Sequence, residues 1–356
     1  MAMTTDQKRI NACTAERGLT YYCPNCAATV LLRRGRFKVA HFAHRQNIGC
    51  HVGEPETKEH LAGKFFLWQQ SQQDGTAQLE WYLDAIHQRP DVLVNHHLVL
   101  EFQCSPLSLT RFCERIQGYR SLELHSEWLL GHAYYLRRKT AASVLKFLAY
   151  RPTVGYYLLF LLEQPMRFVI RYQLRLVDQR LIFLEQSFST GAALIQFLQH
   201  PQLTQPTVPS LRLFQGWVEN QLQRKNPAVV KLQQTCYQKR HLLQGCPLVC
   251  HVPRSVPPLQ TAIWWLNWRI QVLLELETKH TVNLTDLVIR LEHQLQFPLL
   301  ADLHQHVFVI VQQFANHLVQ AGMATQRNQQ LYWQKKEHWF ADGVQKKRAI
   351  QAKEKD

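Results

Sequence analysis

The sequence predicts an α/β protein in three parts: a cysteine- and histidine-bearing β-hairpin at residues 1–53, an α/β core at 54–140, and a mainly helical region with some strands at 141–356. Three observations predict it. Short apolar runs flank tight turns near residues 29–40 and 92–100. A segment with apolar residues at helical spacing precedes the second set of strands. From Ser189 onward the apolar positions recur mostly at helical spacing.

Composition narrows the function classes. At 356 residues the chain exceeds one small core. Its 46% hydrophobic content excludes wholesale disorder. A net charge of +15 and a pI near 9.5 point to a polyanionic partner, nucleic acid before membrane surface. The stretch MAMTTDQKRINACTAERG has no apolar signal core. The longest aliphatic-aromatic run, Val154 to Leu162, is far too short to span a bilayer. A soluble, cytoplasmic protein with no membrane partner is the expectation. Nine cysteines are odd in number and thinly spread, which favours reduced thiols and metal ligation over a disulfide framework.

The first part centres on YYCPNCAATVLLRRGRFKVAHFAH. Cys23 and Cys26 flank Pro24-Asn25, a knuckle turn. TVLL and RFKVA alternate around Arg34-Gly35, and such a hairpin returns HFAH beside CPNC. Two thiolates and two imidazoles, Cys23, Cys26, His41 and His44, suit a closed tetrahedral Zn²⁺ site. The competing reading is a metal-free hairpin with one histidine in a core. Cys50 and His51 are spare candidates for the fourth ligand. The histidine spacing is short for a base-reading helix, so the knuckle is expected to be structural. Arg33, Arg34, Arg36 and Lys38 form either a phosphate contact or a solvated tip.

In GEPETKEHLAGKFFLWQQSQQ, Glu56, His60 and Lys64 recur at four-residue steps and share one helical face. Leu61, Phe65 and Trp68 form an apolar stripe beside it. Asp74-Gly75 ends this helix. QLEWYLDAIHQRPDVLV then reads as strand, bend, strand. Val92-Leu93-Val94 and Leu98-Val99-Leu100 are strands joined by Asn95-His96-His97, which sets Asp91 opposite Glu101 with Cβ atoms roughly 5 Å apart. Glu101 and Gln103 share a face because strand side chains alternate. Two carboxylates so close repel unless a cation lies between them, and hard oxygen ligands suit Mg²⁺ or Mn²⁺. A helix follows, with Ser105 as its cap, Pro106 in its first turn, and Arg115 and Tyr119 one turn apart. SEWLLG reads as a further strand.

Pro90-Asp91 followed by Glu101-x-Gln103 resembles the signature of the PD-(D/E)xK nuclease superfamily, with Gln103 where lysine is usual. The ordered set CPNC, HFAH, E-T-x-x-H-x-x-x-K, RPDVLV, EFQCS and E-R-x-x-x-Y resembles the CoiA-like competence protein family of Gram-positive bacteria, over roughly residues 10 to 135. The resemblance implies a restriction-endonuclease-like core and metal-dependent hydrolysis of DNA during natural transformation. It implies a DNA substrate, single-stranded or branched, and a recombinase partner. It assigns Asp91, Glu101, Gln103, Glu56 and Lys64 to catalysis, Asp91 and Glu101 to Mg²⁺ or Mn²⁺, and Arg115 and Tyr119 to phosphate contact and active-site support; the competing reading of the latter two is an exposed arginine and a half-buried tyrosine. Glu80 either assists or is structural. Glutamine can orient water but supplies no charge, so Lys64 is the candidate substitute. The alternative is a weak or inactive nuclease fold serving as a DNA-binding scaffold in recombination.

Residues 154–187 hold apolar runs rich in aromatic and β-branched residues; they suggest a few strands, with helix the alternative for runs so short. DLHQHVFVIVQQFANHLVQAG reads as a helix ending at Gly322, and MATQRNQQLYWQ as a hairpin; together they suggest the end of a winged-helix-like unit. Trp264, Trp265 and Trp268 are expected mostly in a core. Lys346, Lys347 and Arg348 are expected on a solvated helix.

Overall fold

The computed structural model describes residues 2–10, 12, 14–23, 26–34, 40–44, 57–73, 75–137, 142–177, 180–201, 211–251, 255–334 and 339–353. Mixed α/β architecture is borne out. Five short strands open the chain: β1 (Ala2–Met3), β2 (Arg9–Ile10), β3 (Tyr21–Tyr22), β4 (Thr29–Arg33) and β5 (His41–His44). They form an antiparallel sheet in the order β2-β1-β3-β4-β5 around a small core of Ala2, Ala15, Tyr21, Cys23 and Val30. The hairpin's second strand is HFAH itself. Of the expected strand RFKVA, residues 36–39 lie outside the described part.

Helix α1 (Lys58–Ser71) starts at Thr57, whose hydroxyl accepts the His60 N–H at 3.1 Å. Strands β6 (Ala77–Leu79), β7 (Val92–Val94) and β8 (Leu98–Gln103) follow, then α2 (Leu109–Ser121), β9 (His125–Leu130), α3 (His132–Tyr135) and α4 (Ala142–Leu145). The cap of α2 is Ser108, not Ser105: its hydroxyl accepts the Arg111 N–H at 3.2 Å. Ser105 instead receives the Tyr134 hydroxyl on its carbonyl. Strands β10 (Ala149–Arg151), β11 (Gly155–Leu162), β12 (Arg167–Val177) and β13 (Arg180–Phe188) lead to helix α5 (Gly191–Gln199).

These strands make one sheet in the order β13-β12-β11-β9-β8-β7-β6, with β10 on β11. Strands β8, β9 and β11 run parallel and the other pairs antiparallel. The sheet therefore runs on past residue 140, where the sequence divides by pattern. Both faces are buried, which explains the near-continuous apolar runs of β11 and β12. One face packs Leu93, Val99 and Phe160 against Phe112 and Ile116 of α2. The other packs Val92, Val94 and Phe102 against Leu67 of α1 and Leu194 of α5.

The remaining elements are mostly helical: α6 (Leu211–Gln223), α7 (Pro227–Gln238), β14 (Ser255–Val256, pairing β12), α8 (Ala262–Lys279), β15 (Thr281–Asn283), α9 (Leu284–Glu292), α10 (Leu303–Gln320), β16 (Ala324–Arg327), β17 (Gln330–Trp333) and α11 (Gly343–Lys353). The expected helix and hairpin are present, and β15 joins them in a sheet ordered β15-β17-β16. Trp265 and Trp268 are buried and Trp264 half-buried. Lys346 corrects one expectation: it is fully buried, its ammonium donating to Cys246 Sγ at 3.1 Å and lying 2.8 Å from His251 Nε2. Among the described residues no helix is long and apolar enough to cross a membrane.

Candidate active site and metal knuckle

The site is built where α1 crosses β8. Gly63 permits the crossing, because a Cβ there would collide with the Phe102 ring. His60, Gly63, Lys64 and Leu67 lie on one helical face, so the close approach lays His60 and Lys64 over the end of the hairpin. The His60 and Phe102 rings stack with centroids 6.0 Å apart.

The β7–β8 register pairs Val92 with Leu100, Leu93 with Val99 and Val94 with Leu98, as the loop length predicts. Continued by one residue, it sets Asp91 across from Glu101. Asp91 Oδ2 accepts the Phe102 N–H at 2.8 Å and lies 3.2 Å from His60 Nε2. Lys64, only 3% exposed, pairs with Glu80, whose N–H donates to the Asp91 carbonyl at 3.0 Å. Glu101 is 5% exposed, and its Oε1 accepts both the Arg115 guanidinium and the Tyr119 hydroxyl. Arg115 also donates to the Arg89 carbonyl at 3.1 Å and to the Tyr119 oxygen at 2.7 Å.

The two acids are tuned apart. Burial pushes the Asp91 carboxyl up, but the His60 hydrogen bond, the charges of His60 and Lys64 and the Phe102 N–H outweigh it and hold it below its ordinary value. Burial also pushes Glu101 up, and the neighbouring Asp91 charge adds to this; together they outweigh Arg115 and Tyr119. Burial and the Glu101 charge raise the Tyr119 phenol well above its usual range, so it remains a donor.

Among the described residues, Asp91 Oδ1 and Glu101 Oε2 accept no hydrogen bond. One open oxygen from each of two desolvated acids fits a hard divalent cation that keeps several waters. Gln103 lies on the same strand, but its amide donates to the Ser105 carbonyl at 2.7 Å. Glu56 lies outside the described residues. Arg115 and Tyr119 are brought to the site as supports of Glu101.

The second constellation is in the N-terminal sheet. Cys23, Cys26 and His44 offer ligand atoms all within 4.8 Å of one another, with Cys26 Sγ 3.3 Å from His44 Nε2. The thiolate–imidazole donor set fits a tetrahedral zinc knuckle. The β4–β5 register, Val30 against His44, delivers the histidine to the knuckle. The His41 side chain and Cys50 and His51 lie outside the described part. Arg34 is not a free phosphate contact: its guanidinium donates to the Ala12 and Ala15 carbonyls at 2.6 and 3.0 Å.

Two family models match in succession. Residues 2–53 match the N-terminal domain of competence protein CoiA, and residues 56–203 match its nuclease-like domain, together more than half of the chain. The chain belongs to the CoiA competence protein family. The CoiA nuclease-like match ends past α5, so it takes in all seven strands of the main sheet's path. A competence protein CoiA of Bacillus subtilis (strain 168) is 35% identical over 129 residues, which is 35% of this chain and 34% of that protein. No solved structure matches the chain.

Arg115 and Tyr119 carry the supporting role expected of them, whereas the hold on Asp91 by His60 and the Phe102 N–H has no counterpart among the expectations. His60 was legible only as a rung of a helical ladder, although its step of four before Lys64, with Gly63 between, marks a helix face meeting a strand closely. The Lys64–Glu80 pair joins residues 16 apart through a loop, and no local pattern carries it.

Proposed function

We propose that the chain is a divalent-metal-dependent nuclease that hydrolyses DNA phosphodiester bonds during uptake and recombination of transforming DNA in the cytoplasm. The observation that carries this reading is the hairpin register that sets Asp91 across from Glu101, each with one carboxylate oxygen that accepts no hydrogen bond among the described residues. Both acids would hold Mg²⁺ or Mn²⁺, which when bound polarises a phosphate and lowers the pKa of a coordinated water. The Phe102 N–H and His60 orient Asp91. Arg115 and Tyr119 orient Glu101 and balance its charge, so they act as positioning residues. Gln103 spends its amide on the turn into α2. Lys64 is the cation nearest the role that lysine usually fills, reached from the neighbouring helix. Glu56 is the candidate third carboxylate. Zinc at Cys23, Cys26 and His44, with His41 as proposed fourth ligand, would hold the N-terminal sheet. Residues 262–333, ordered helix–strand–helix–helix–hairpin, read as a winged-helix-like unit. Single-stranded or branched DNA is the proposed substrate and a recombinase the proposed partner; the +15 charge supports the DNA.

A second reading is a non-cleaving DNA-binding scaffold. It is favoured by one observation: Arg115 and Tyr119 both occupy the same oxygen of Glu101. Labelled single-stranded, duplex and branched DNA, incubated with Mn²⁺ or with EDTA, separates the two. Metal-dependent cleavage that Asp91→Ala abolishes supports the nuclease. Binding with no cleavage under any metal supports the scaffold. If Lys64→Ala leaves cleavage untouched while Asp91→Ala abolishes it, the role given to Lys64 is wrong.

A further inference from the structure

The main sheet and the C-terminal helical region meet in a cleft of about 570 Å³. Its walls come from β10 and β11 (Tyr150, Tyr156), β12 (Arg175), β14 (Ser255) and the start of α10 (Gln305, His306). We propose that this cleft holds one nucleotide unit of single-stranded DNA, with the base against Tyr150 and the phosphate on Arg175.

Three features carry the proposal. The first is Arg175. Among the described residues its guanidinium makes no hydrogen bond or ion pair, and its Nε is buried without a partner. A buried Nε with no partner is costly, and a phosphate that reached it together with a terminal nitrogen would satisfy it in fork geometry. Its position follows from the chain: β12 shifts register against β13 between Tyr172 and Arg175, and such a bulge re-aims the side chains beside it.

The second feature is a preformed aromatic wall. Tyr150 pairs directly with Tyr156 across β10–β11, with ring centroids 5.0 Å apart. The His306 ring lies 4.6 Å from Tyr150 and 5.2 Å from Tyr156, and its Nδ1 is 2.8 Å from the Tyr156 hydroxyl. Burial lowers the His306 pKa, so this ring stays neutral at pH 7. Tyr156 and His306 are thereby fixed, while Tyr150, in contact with both rings, remains 41% exposed, and that area is what a base would cover.

The third is chemistry at the rim. Ser255, Gln305 and Gln313 supply hydroxyl and amide groups suited to base edges and sugar. Asp302 also lines the cleft, but its carboxylate caps α10 by accepting the Gln305 N–H at 2.9 Å. The phosphate therefore belongs at the Arg175 side. A cleft of this volume lies within the usual range for small-ligand sites.

Sheet register relates the cleft to the acids. Glu101 aligns with Trp128 of β9, and Leu129 with Leu159 of β11, so Tyr156 lies two strands across and two residues along from Glu101. Strand spacing and rise put their Cα atoms roughly 12 Å apart. The inference rests on the proposed action on DNA, and it adds a second contact for the same strand.

The test is fluorescence anisotropy of a labelled ten-residue oligothymidine with the full chain in EDTA, at 50 and 200 mM salt. Arg175→Gln should weaken binding about fivefold or more and reduce the slope of log affinity against log salt by about 0.7. Tyr150→Leu should weaken it by about fivefold or more. Parental affinity in both cleft variants, with unchanged near-ultraviolet circular dichroism, overturns the proposal. Loss in Arg175→Gln alone overturns it as a nucleotide site. If the parent cleaves no DNA under any metal while both cleft variants lose binding, the nuclease reading falls and the cleft stands.

Discussion

The Asp91 carboxylate accepts the backbone N–H of Phe102 at 2.8 Å, which pins it beside the residue that precedes Phe102 in the strand, Glu101. A side chain at the mouth of a hairpin is thus fixed by the partner strand's main chain. His60 completes the hold from α1, and Arg115 and Tyr119 hold Glu101 from α2. Two helices on opposite faces of one sheet each supply donors for one of the acids, which the hairpin register sets across from each other.

Gly63 sets the distance between α1 and the sheet. Gly63→Ala should place a methyl group in the Phe102 ring and cost roughly 1–3 kcal/mol, the range for overpacked cores. Urea unfolding measures the loss. DNA cleavage should fall as well, because a lifted α1 withdraws His60 and Lys64 from Asp91. Unchanged stability would show that the helix can slide without penalty.

Arg115→Ala should remove the countercharge of a buried acid that already stands beside Asp91. Breaking such a pair costs about 3–5 kcal/mol. Tyr119→Phe deletes one hydroxyl donor from the same oxygen and should cost far less, about 1–2 kcal/mol. Unfolding of the two variants side by side gives the contrast. Equal losses would mean that Arg115 contributes packing rather than charge.

The knuckle makes a metal prediction. Purified protein should carry about one zinc per chain by elemental analysis. Cys26→Ser should release it and expose the N-terminal sheet to limited proteolysis, leaving the main sheet intact, since the small core around Tyr21 and Cys23 is separate from the two larger ones. Zinc retained in full by Cys26→Ser would remove Cys26 from the ligand set.

Glu127 carries a pH prediction. Burial pushes its carboxyl up, but the His125 hydrogen bond and the Arg151 guanidinium outweigh this and hold it below the ordinary value. A depressed folded pKa means stability that is present above the unfolded value, near 4.3, and lost as pH falls through the folded one. The parent should therefore exceed Glu127→Gln in stability at pH 7, and the gap should narrow below about pH 4.5. A gap that widens on acidification would reverse the sign of the argument.

Lys346 is buried with a thiol and an imidazole and, among the described residues, no carboxylate hydrogen-bonded to it. Lys346→Met keeps its length and removes its ammonium, so stability should change little or rise. Lys346→Ala leaves a cavity and should cost about 2–5 kcal/mol. Chemical denaturation of both variants checks this. A large loss in Lys346→Met would show that the ammonium itself is stabilising.

The sequence by itself determined what local rules can carry. A three-residue loop between two apolar triplets sets Asp91 against Glu101, strand alternation puts Gln103 on the face of Glu101, and paired Cys and His motifs announce the knuckle. Helix caps sat at the edge of this reach: the pattern points to Ser105, and the hydroxyl bonded to the Arg111 N–H belongs to Ser108. Tertiary structure decided the rest. Only packing reveals that Gly63 is a contact point, that Lys64 meets Glu80, that Arg115 and Tyr119 share one oxygen of Glu101, and that a lysine from the tail helix is buried. The physical reason is range. Turn geometry and side-chain alternation act within a few residues, whereas ion pairing and close packing join whatever the topology brings together, at separations that no periodicity records.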